Sequence, residues 1–226
     1  NSGKFAKHWQ LNLRGSYIGS NGYIDRASSR LGSVFGKLAY EHKRNLIQFN
    51  YISGSEKTYQ AWYGVNDAQL ATNPTYNPAG MEKPLSPYSN ETDNYIQSQY
   101  QLFFTRTWSP KWKSNIALFL TRGKGYYEQY KAAESLSDYG LPDYANPLQT
   151  GDTIRETDLV RRLWLDNYFY GSVYSAQYQQ GGRQIILGGS WNRYDGRHYG
   201  EIIRTIAFVN VPAGYRWYNL TRSEER

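Results

Sequence analysis

Hydrophobic and polar residues alternate along most of this chain, and that alternation predicts β-strands. From Ile96 to Trp108 the even positions read Ile, Ser, Tyr, Leu, Phe, Arg and Trp, whereas the odd ones read Gln, Gln, Gln, Phe, Thr and Thr. The following segment sets Trp112, Ile116, Leu118 and Leu120 against Lys113, Asn115 and Thr121. Trp9, Leu11, Leu13, Gly15 and Tyr17 alternate with Gln10, Asn12, Arg14 and Ser16, and Val34 to Glu41 behaves in the same way. So do Ile47, Phe49 and Tyr51, and later Ile185, Leu187, Gly189 and Trp191. Leu163 to Tyr178 is apolar at both parities, with Leu165, Phe169 and Val173 against Tyr168, Tyr170 and Tyr174. That pattern predicts either a bulge or a strand that faces lipid on one side and a packed interior on the other. Several segments run ten residues or more, longer than the five or six usual in globular sheets and right for a tilted membrane crossing.

Loop length sorts these segments into pairs. Short turns fall at His42-Lys43-Arg44-Asn45, Ser109-Pro110-Lys111 and Gln179-Gln180-Gly181-Gly182. Long connections run from Ser55 to about Tyr95 and from Gly125 to about Asp158, with Gly19 to Gly32 and Gly196 to Gly214 on either side. Tight turns at one end and large loops at the other are the wiring of a bacterial outer-membrane barrel, whereas a soluble sandwich has no reason to sort its loops. The expected fold class is therefore all-β, an antiparallel transmembrane β-barrel segment of seven strands and the start of an eighth. Its short turns are expected at the periplasmic rim and its long loops outside. Lys131 to Leu136 is expected as a short loop helix. Without internal repeats or a low-complexity linker, residues 1–226 read as part of a single barrel domain. The opening on Asn1 and the charged close at Arg222 to Arg226 read as cuts, so a piece of a longer protein is expected.

Composition sharpens this reading in places. Neither a signal peptide nor a run of about eighteen apolar residues occurs, so no transmembrane helix is expected. The mean hydropathy of −0.76 is neutral, because a barrel strand exposes only alternate residues to lipid. Aromatic residues make up 17% of the chain, with 23 Tyr and 7 Trp, which suits the interfacial girdles of a barrel. A Tyr-rich soluble or surface β-protein that binds glycans remains an alternative, as does a structural barrel subunit that transports nothing. Cysteine is absent, so disulfides and thiolate chemistry are excluded within this segment. The net charge of +7 is scattered rather than gathered on one patch, which argues against nucleic acid and for solvated surface, lumen or lipid headgroups.

A search for catalytic chemistry turns up little. His8, His42 and His198 have no metal-ligand spacing, and the loop carboxylates Asp138, Asp143, Asp152, Glu156 and Asp158 have no fixed separation. Gly123-Lys124-Gly125-Tyr126-Tyr127-Glu128 starts like a phosphate-binding GxGxxG and fails at its last position. No enzyme activity, metal or cofactor is expected. The candidate ligand-binding residues lie where aromatic, amide and charged side chains mix beyond a strand: Tyr59, Trp62 and Tyr63, and then Tyr126, Tyr127, Glu128 and Tyr130. An interfacial girdle or loop-on-loop packing is the plainer account of the same residues.

Five stretches carry a family resemblance: Gly22 to Ala27, Tyr59 to Gly64, Glu91 to Gln97, Thr121 to Tyr130 and Leu165 to Gly171. The most specific is Gly125-Tyr126-Tyr127-Glu128-Gln129-Tyr130 after a strand ending in Thr121-Arg122-Gly123. Together they span nearly the whole chain, and the chain resembles TonB-dependent outer-membrane receptors, particularly those of Bacteroidetes-type bacteria. The resemblance implies a 22-stranded barrel plugged by an N-terminal domain. It further implies uptake of a siderophore, haem, cobalamin, metal chelate or glycan, driven by TonB–ExbB–ExbD through the plug's TonB box. Neither plug nor TonB box is matched within this sequence. Implied partners are outer-membrane lipid and lipopolysaccharide, the nutrient, and other outer-membrane proteins or surface lipoproteins.

Overall fold

The computed structural model describes residues 2–206 and 208–225. In chain order the strands are β1 (Ser2–Ala6), β2 (Trp9–Ser20), β3 (Ser29–His42), β4 (Asn45–Tyr59), β5 (Thr92–Ser109), β6 (Trp112–Ser135), β7 (Tyr144–Ala145), β8 (Thr153–Ile154), β9 (Glu156–Gln180), β10 (Arg183–Thr205) and β11 (Arg216–Glu225). Nine of them form one sheet in sequence order, every pair antiparallel, while β7 and β8 make a small hairpin within the loop between β6 and β9. β1 and β11 are the two edges, so the sheet is an open arc of wall among the described residues.

Register explains why this sequence makes such a wall. Leu11, Leu38, Phe49, Leu102 and Leu118 are direct cross-strand partners in turn from β2 to β6, and Ser172 and Trp191 continue the row through β9 and β10. One residue further along, the row reads Asn12, Lys37, Asn50, Gln101, Phe119, Gly171 and Asn192. Because paired residues share a face, the first row belongs to an apolar face and the second to a polar one. A slip of one residue in any pair would exchange them. Asn50 Nδ2 donates to Gln101 Oε1 at 3.1 Å, and Thr105 Oγ1 to Asn115 Oδ1 at 2.8 Å, so cross-strand hydrogen bonds link the polar face.

Among the described residues no second sheet covers the apolar face. Leu118 is 47% exposed and Leu187 74%, and Ile116 and Phe49 are also open. The described residues therefore form no sandwich core between two sheets. Aromatic residues border the apolar band on both sides. Trp9 and Tyr40 (ring centroids 4.8 Å apart) and Trp112 and Tyr178 (4.9 Å) lie near the short turns, while Tyr51 and Tyr100 (5.2 Å) lie on the far side. On β9, Tyr178 and Tyr170 stand eight residues apart, about 26 Å along the strand and about 20 Å in height at the usual tilt.

Several boundaries differ from the sequence-based expectation. The sheet holds nine strands rather than seven and a fraction, because β1 and β11 carry too few apolar residues to show alternation. A fourth short turn, Lys7-His8, joins β1 to β2. The long loops are shorter than expected, at residues 21–28, 60–91, 136–155 and 206–215, since the ladder continues past the apolar band into segments that are polar or aromatic on both faces. Lys131 to Ser135 is the end of β6 and not a helix. A bulge at Ala132-Ala133 interrupts it, Ala133 N donating to Asp158 Oδ1 at 2.9 Å, and pairing with β9 resumes at Glu134. A 3-10 turn follows at Leu136–Tyr139. The mixed segment of β9 contains no bulge. Its Phe169 and Val173 sit on the polar face, opposite Thr121 and Ala117, and Phe169 packs on Phe119 with centroids 5.2 Å apart. The turn Gly181-Gly182 has φ of +57° and +77°, the left-handed pair that matches the twist of a two-residue hairpin.

Candidate functional site

Beyond the apolar band the seven expected residues divide between the two faces of the wall. Tyr126, Tyr127, Glu128 and Tyr130 belong to β6 itself rather than to a loop, and alternation sends them to opposite sides. Tyr126, Glu128 and Tyr130 share the face that carries the apolar band lower down, as does Tyr59 at the end of β4. Tyr127 lies on the polar face, where Trp62 meets it edge-on at 6.1 Å between centroids.

The outward group is an anchor. Glu128 is 3% exposed and its carboxylate is fully engaged. Tyr88 Oη and Asn90 Nδ2 each donate to Oε1 at 2.6 Å, and Arg162 Nε donates to Oε2 at 2.7 Å. The Arg162 guanidinium also lies 4.2 Å from the Tyr126 ring centroid. Tyr59 Oη donates to the Tyr88 carbonyl at 2.6 Å, and Arg26, from the loop between β2 and β3, donates to the carbonyls of Asn77 and Ala79. Asn77 Nδ2 reaches the carbonyls of Asp25 and Gln60, both at 2.9 Å. Tyr130 donates to Asp158 across the ladder. These bonds fasten the loop of residues 60–91 to the wall and occupy the polar atoms of Tyr59, Glu128 and Tyr130. Burial, and then the bond to Glu128, push the Tyr88 phenol above its ordinary pKa, which keeps it a donor.

Glu91, 4% exposed, belongs to the same anchor and has an unusual carboxyl. Its Oε2 accepts the Tyr130 backbone N–H at 3.3 Å, yet burial outweighs that bond and raises its pKa. A carboxyl whose folded pKa lies above its unfolded value stabilises most below the unfolded pKa, and its contribution is lost as pH rises through the folded one. Glu91→Gln keeps an acceptor for Tyr130 and cannot ionise. The variant is expected to lose this decline in stability from acid towards neutral pH, as read from unfolding at a series of pH values. A variant whose pH dependence matches the parent's would refute the assignment.

The inward group stays open. Trp62 is 55% exposed, Tyr63 is exposed and Tyr127 is half-buried. Gln129 Nε2 donates to Tyr63 Oη at 3.3 Å, and Arg161 Nη2 donates to Gln129 Oε1 at 3.1 Å. Arg161 Nη1 donates to Tyr139 Oη at 2.7 Å, and Tyr139 donates to Glu134. Behind these lies a small apolar core of Leu136, Tyr139, Leu141, Leu159, Ile202 and Val209, which seats the loop of residues 136–155 against β9 and β10. The arrangement is a rim of aromatic edges with a guanidinium held in place beside them, suited to stacking and hydrogen bonding. Arg161 and Gln129 were not anticipated from sequence, although their parity with Tyr127 on adjacent paired strands would have placed them there. At the opposite end, His42 Nδ1 and His8 Nε2, from two neighbouring short turns, come within 3.3 Å at the end of the β2–β3 ladder, a pairing that spacing did not reveal. Gly123 and Gly125, the failed phosphate motif, leave room for the Tyr95 ring, which a Cβ at either position would strike.

No protein-family model and no curated protein matches this chain. Among solved structures the chain is similar to the ferric-catecholate import receptor Fiu of E. coli K12. Against its closed crystal form the TM-score is 0.56 at 9% identity, covering 95% of this chain and 31% of that one. Against its open form the values are 0.56, 9%, 95% and 34%. The chain thus spans about a third of the length of those receptors. At this identity the likeness is one of fold. It gives the sheet the architecture of a TonB-dependent receptor barrel and does not speak for the Bacteroidetes type.

Proposed function

We propose that this chain is wall from a TonB-dependent outer-membrane receptor that takes up a scarce nutrient, residues 1–226 belonging to one barrel domain. The carrying observation is the uninterrupted Leu11–Leu38–Phe49–Leu102–Leu118 row on an exposed face that no second sheet covers among the described residues. An apolar band bordered by aromatics, with tight turns at one end and long loops at the other, is what a bilayer demands of a barrel. On this reading the polar face lines the interior, and its Phe119–Phe169 patch offers a seat for a plug domain that would contact TonB–ExbB–ExbD. Bacteroidetes-type membership rests on the quoted sequence stretches alone. A rim of aromatic edges beside a guanidinium fits a metal chelate with planar groups, and the fold likeness to a ferric-catecholate receptor supports choosing a ferric catecholate as the first to test. Trp62, Tyr63 and Tyr127 stack on it, while Gln129, held by Arg161, fixes Tyr63, and Trp62 packs edge-on against Tyr127.

Two measurements test this. Cells lacking the gene are expected to lose growth on ferric chelates as sole iron source, and growth unchanged on iron chelates, haem, cobalamin and glycans would refute uptake. In the full-length protein, Trp62→Ala with Tyr127→Ala is expected to weaken chelate binding about tenfold or more, by loss of buried ring contact. Unaltered affinity would remove the inner rim from the ligand site.

A further inference from the structure

The end of the wall opposite the aromatic rim brings two histidines together. His8 sits in the short turn between β1 and β2, and His42 closes β3, where it pairs with Asn45. Two bonds fix His8 to the neighbouring strand. Glu41 N donates to the His8 carbonyl at 2.8 Å, and His8 Nδ1 donates to the Glu41 carbonyl at 2.9 Å. A carbonyl can only accept, so the second bond places the His8 proton on Nδ1 and leaves Nε2 of the neutral ring with a lone pair. That nitrogen meets His42 Nδ1 at 3.3 Å, with the two rings nearly perpendicular at 86°. The Tyr40 ring centroid stands 6.0 Å from that of His8 and 6.3 Å from that of His42, and both imidazoles are half-buried. The pair is thus held in place before any ligand arrives.

We propose that His8 Nε2 and His42 Nδ1 together ligate one Zn²⁺ ion, with water or a small anion completing a tetrahedral shell. Distance selects the metal. Two nitrogens bound at about 2.0–2.1 Å and a tetrahedral angle stand about 3.3–3.4 Å apart. The observed 3.3 Å meets that separation. A square-planar ion at similar bond lengths needs about 2.8–3.0 Å, so the geometry of Cu²⁺ fits less well, although nitrogen sites in general bind that ion more tightly. Without the ion a proton bridges the two nitrogens, and binding replaces it. The bond from His8 Nδ1 to a backbone carbonyl is the outer contact that ligating histidines usually make, since it fixes the tautomer and raises the basicity of the other nitrogen. Nearby charge argues against a hard cation. His8 lines a cavity of about 340 Å³ in which Lys4, Lys7 and Lys43 face Glu41. Three ammonium groups and one carboxylate do not draw Ca²⁺ or Mg²⁺, which take oxygen ligands, so coordination by imidazole has to hold the ion. Once bound, it ties the β1–β2 turn to the end of β3.

The site does not depend on the proposed uptake, and its test uses the metal alone. The full-length protein in mild detergent is titrated with Zn²⁺, and the bound ion is counted after equilibrium dialysis. The parent is expected to hold one ion more than the double variant His8→Gln with His42→Gln, confirmed as folded by heat-modifiable migration. Each single variant is expected to bind that ion about tenfold more weakly or worse. Equal counts in the parent and the folded double variant overturn the site, and so does displacement of the zinc by millimolar Ca²⁺ or Mg²⁺. Co²⁺ in place of zinc reads the geometry, because a tetrahedral site absorbs strongly in the visible. A difference spectrum between parent and double variant that lacks this band overturns the tetrahedral assignment. A measurement on the parent alone covers failure of the double variant to fold. Diethyl pyrocarbonate acylates imidazole nitrogens that carry no metal, so Zn²⁺ is expected to protect His8 and His42 and to leave His198 unprotected, as mapped by peptide mass spectrometry. Equal modification of His8 and His42 with and without Zn²⁺ overturns the proposal.

Discussion

Replacing Ile116 by arginine is expected to cost about 2–4 kcal/mol of folding stability in a bilayer, the penalty for a cation on the lipid face near mid-depth. Ile116 lies four residues from Trp112 on one side and four from Leu120 on the other, and pairs with Phe104 and Tyr174 on the neighbouring strands. Its side chain is 41% exposed on the apolar face, with four residues of band on either side, so the guanidinium would have to snorkel along the strand to reach water. The control is the preceding residue. Asn115→Arg projects from the opposite face, gives up hydrogen bonds to Thr105 and Ser175, and should cost about 1 kcal/mol. Reversible unfolding in lipid vesicles reads both values, and accumulation in the outer membrane should fall for the first variant alone. Equal penalties at the two positions would show that the apolar face does not meet lipid.

That contrast between adjacent residues is also the measure of what the sequence makes legible. Where a strand crosses the apolar band, alternation assigns most residues to their face, and β9, with Phe169 and Val173 on the polar side, is the exception. Ile96 to Trp108 can be read in this way without coordinates, and so can the hairpin turns that follow from it. Past the band the constraint lapses. Tyr126, Tyr127, Glu128 and Gln129 form an unbroken aromatic and polar run, which reads as loop although the ladder carries it straight on as strand. Alternation still operates there, but composition no longer reports it.

The same lapse hides the anchor. Glu128 meets Tyr88 and Asn90 from a connection that has no periodicity, and only the register of β6 with β9 brings Arg162 opposite Glu128 while Arg161 faces the inner rim. Adjacent arginines thus do different work on opposite sides of one strand. Sequence marks the aromatic stretches as the places to look, and it cannot tell which of their members are already occupied. The seven candidates accordingly separate into four that hold or flank the outward anchor and three that remain open at the inner rim.

Removal of the anchor's central acceptor supplies the sharpest test of that division. Glu128→Ala is expected to lower the local stability of the loop of residues 60–91 by about 2–4 kcal/mol, since two neutral donors and a guanidinium lose their acceptor together. A buried broken ion pair would cost more, but Arg162 is 28% exposed and can turn to water, which discounts its share. Amide hydrogen exchange should therefore quicken by about thirtyfold or more around residues 76–91, while the crossing segments of β4, β5 and β6 stay protected. Ligand binding should weaken in parallel, because Trp62 and Tyr63 lie on the same loop and are presented to the inner rim only while its outward half is fastened. Glu128→Gln keeps one carbonyl acceptor and should fall between parent and Ala in both measurements. Arg162→Ala should release the loop less than Glu128→Ala does, since Tyr88 and Asn90 still hold the carboxylate. If exchange around residues 76–91 is unchanged in Glu128→Ala, the carboxylate is not what fastens the loop, and Glu128 returns to the candidates for direct ligand contact.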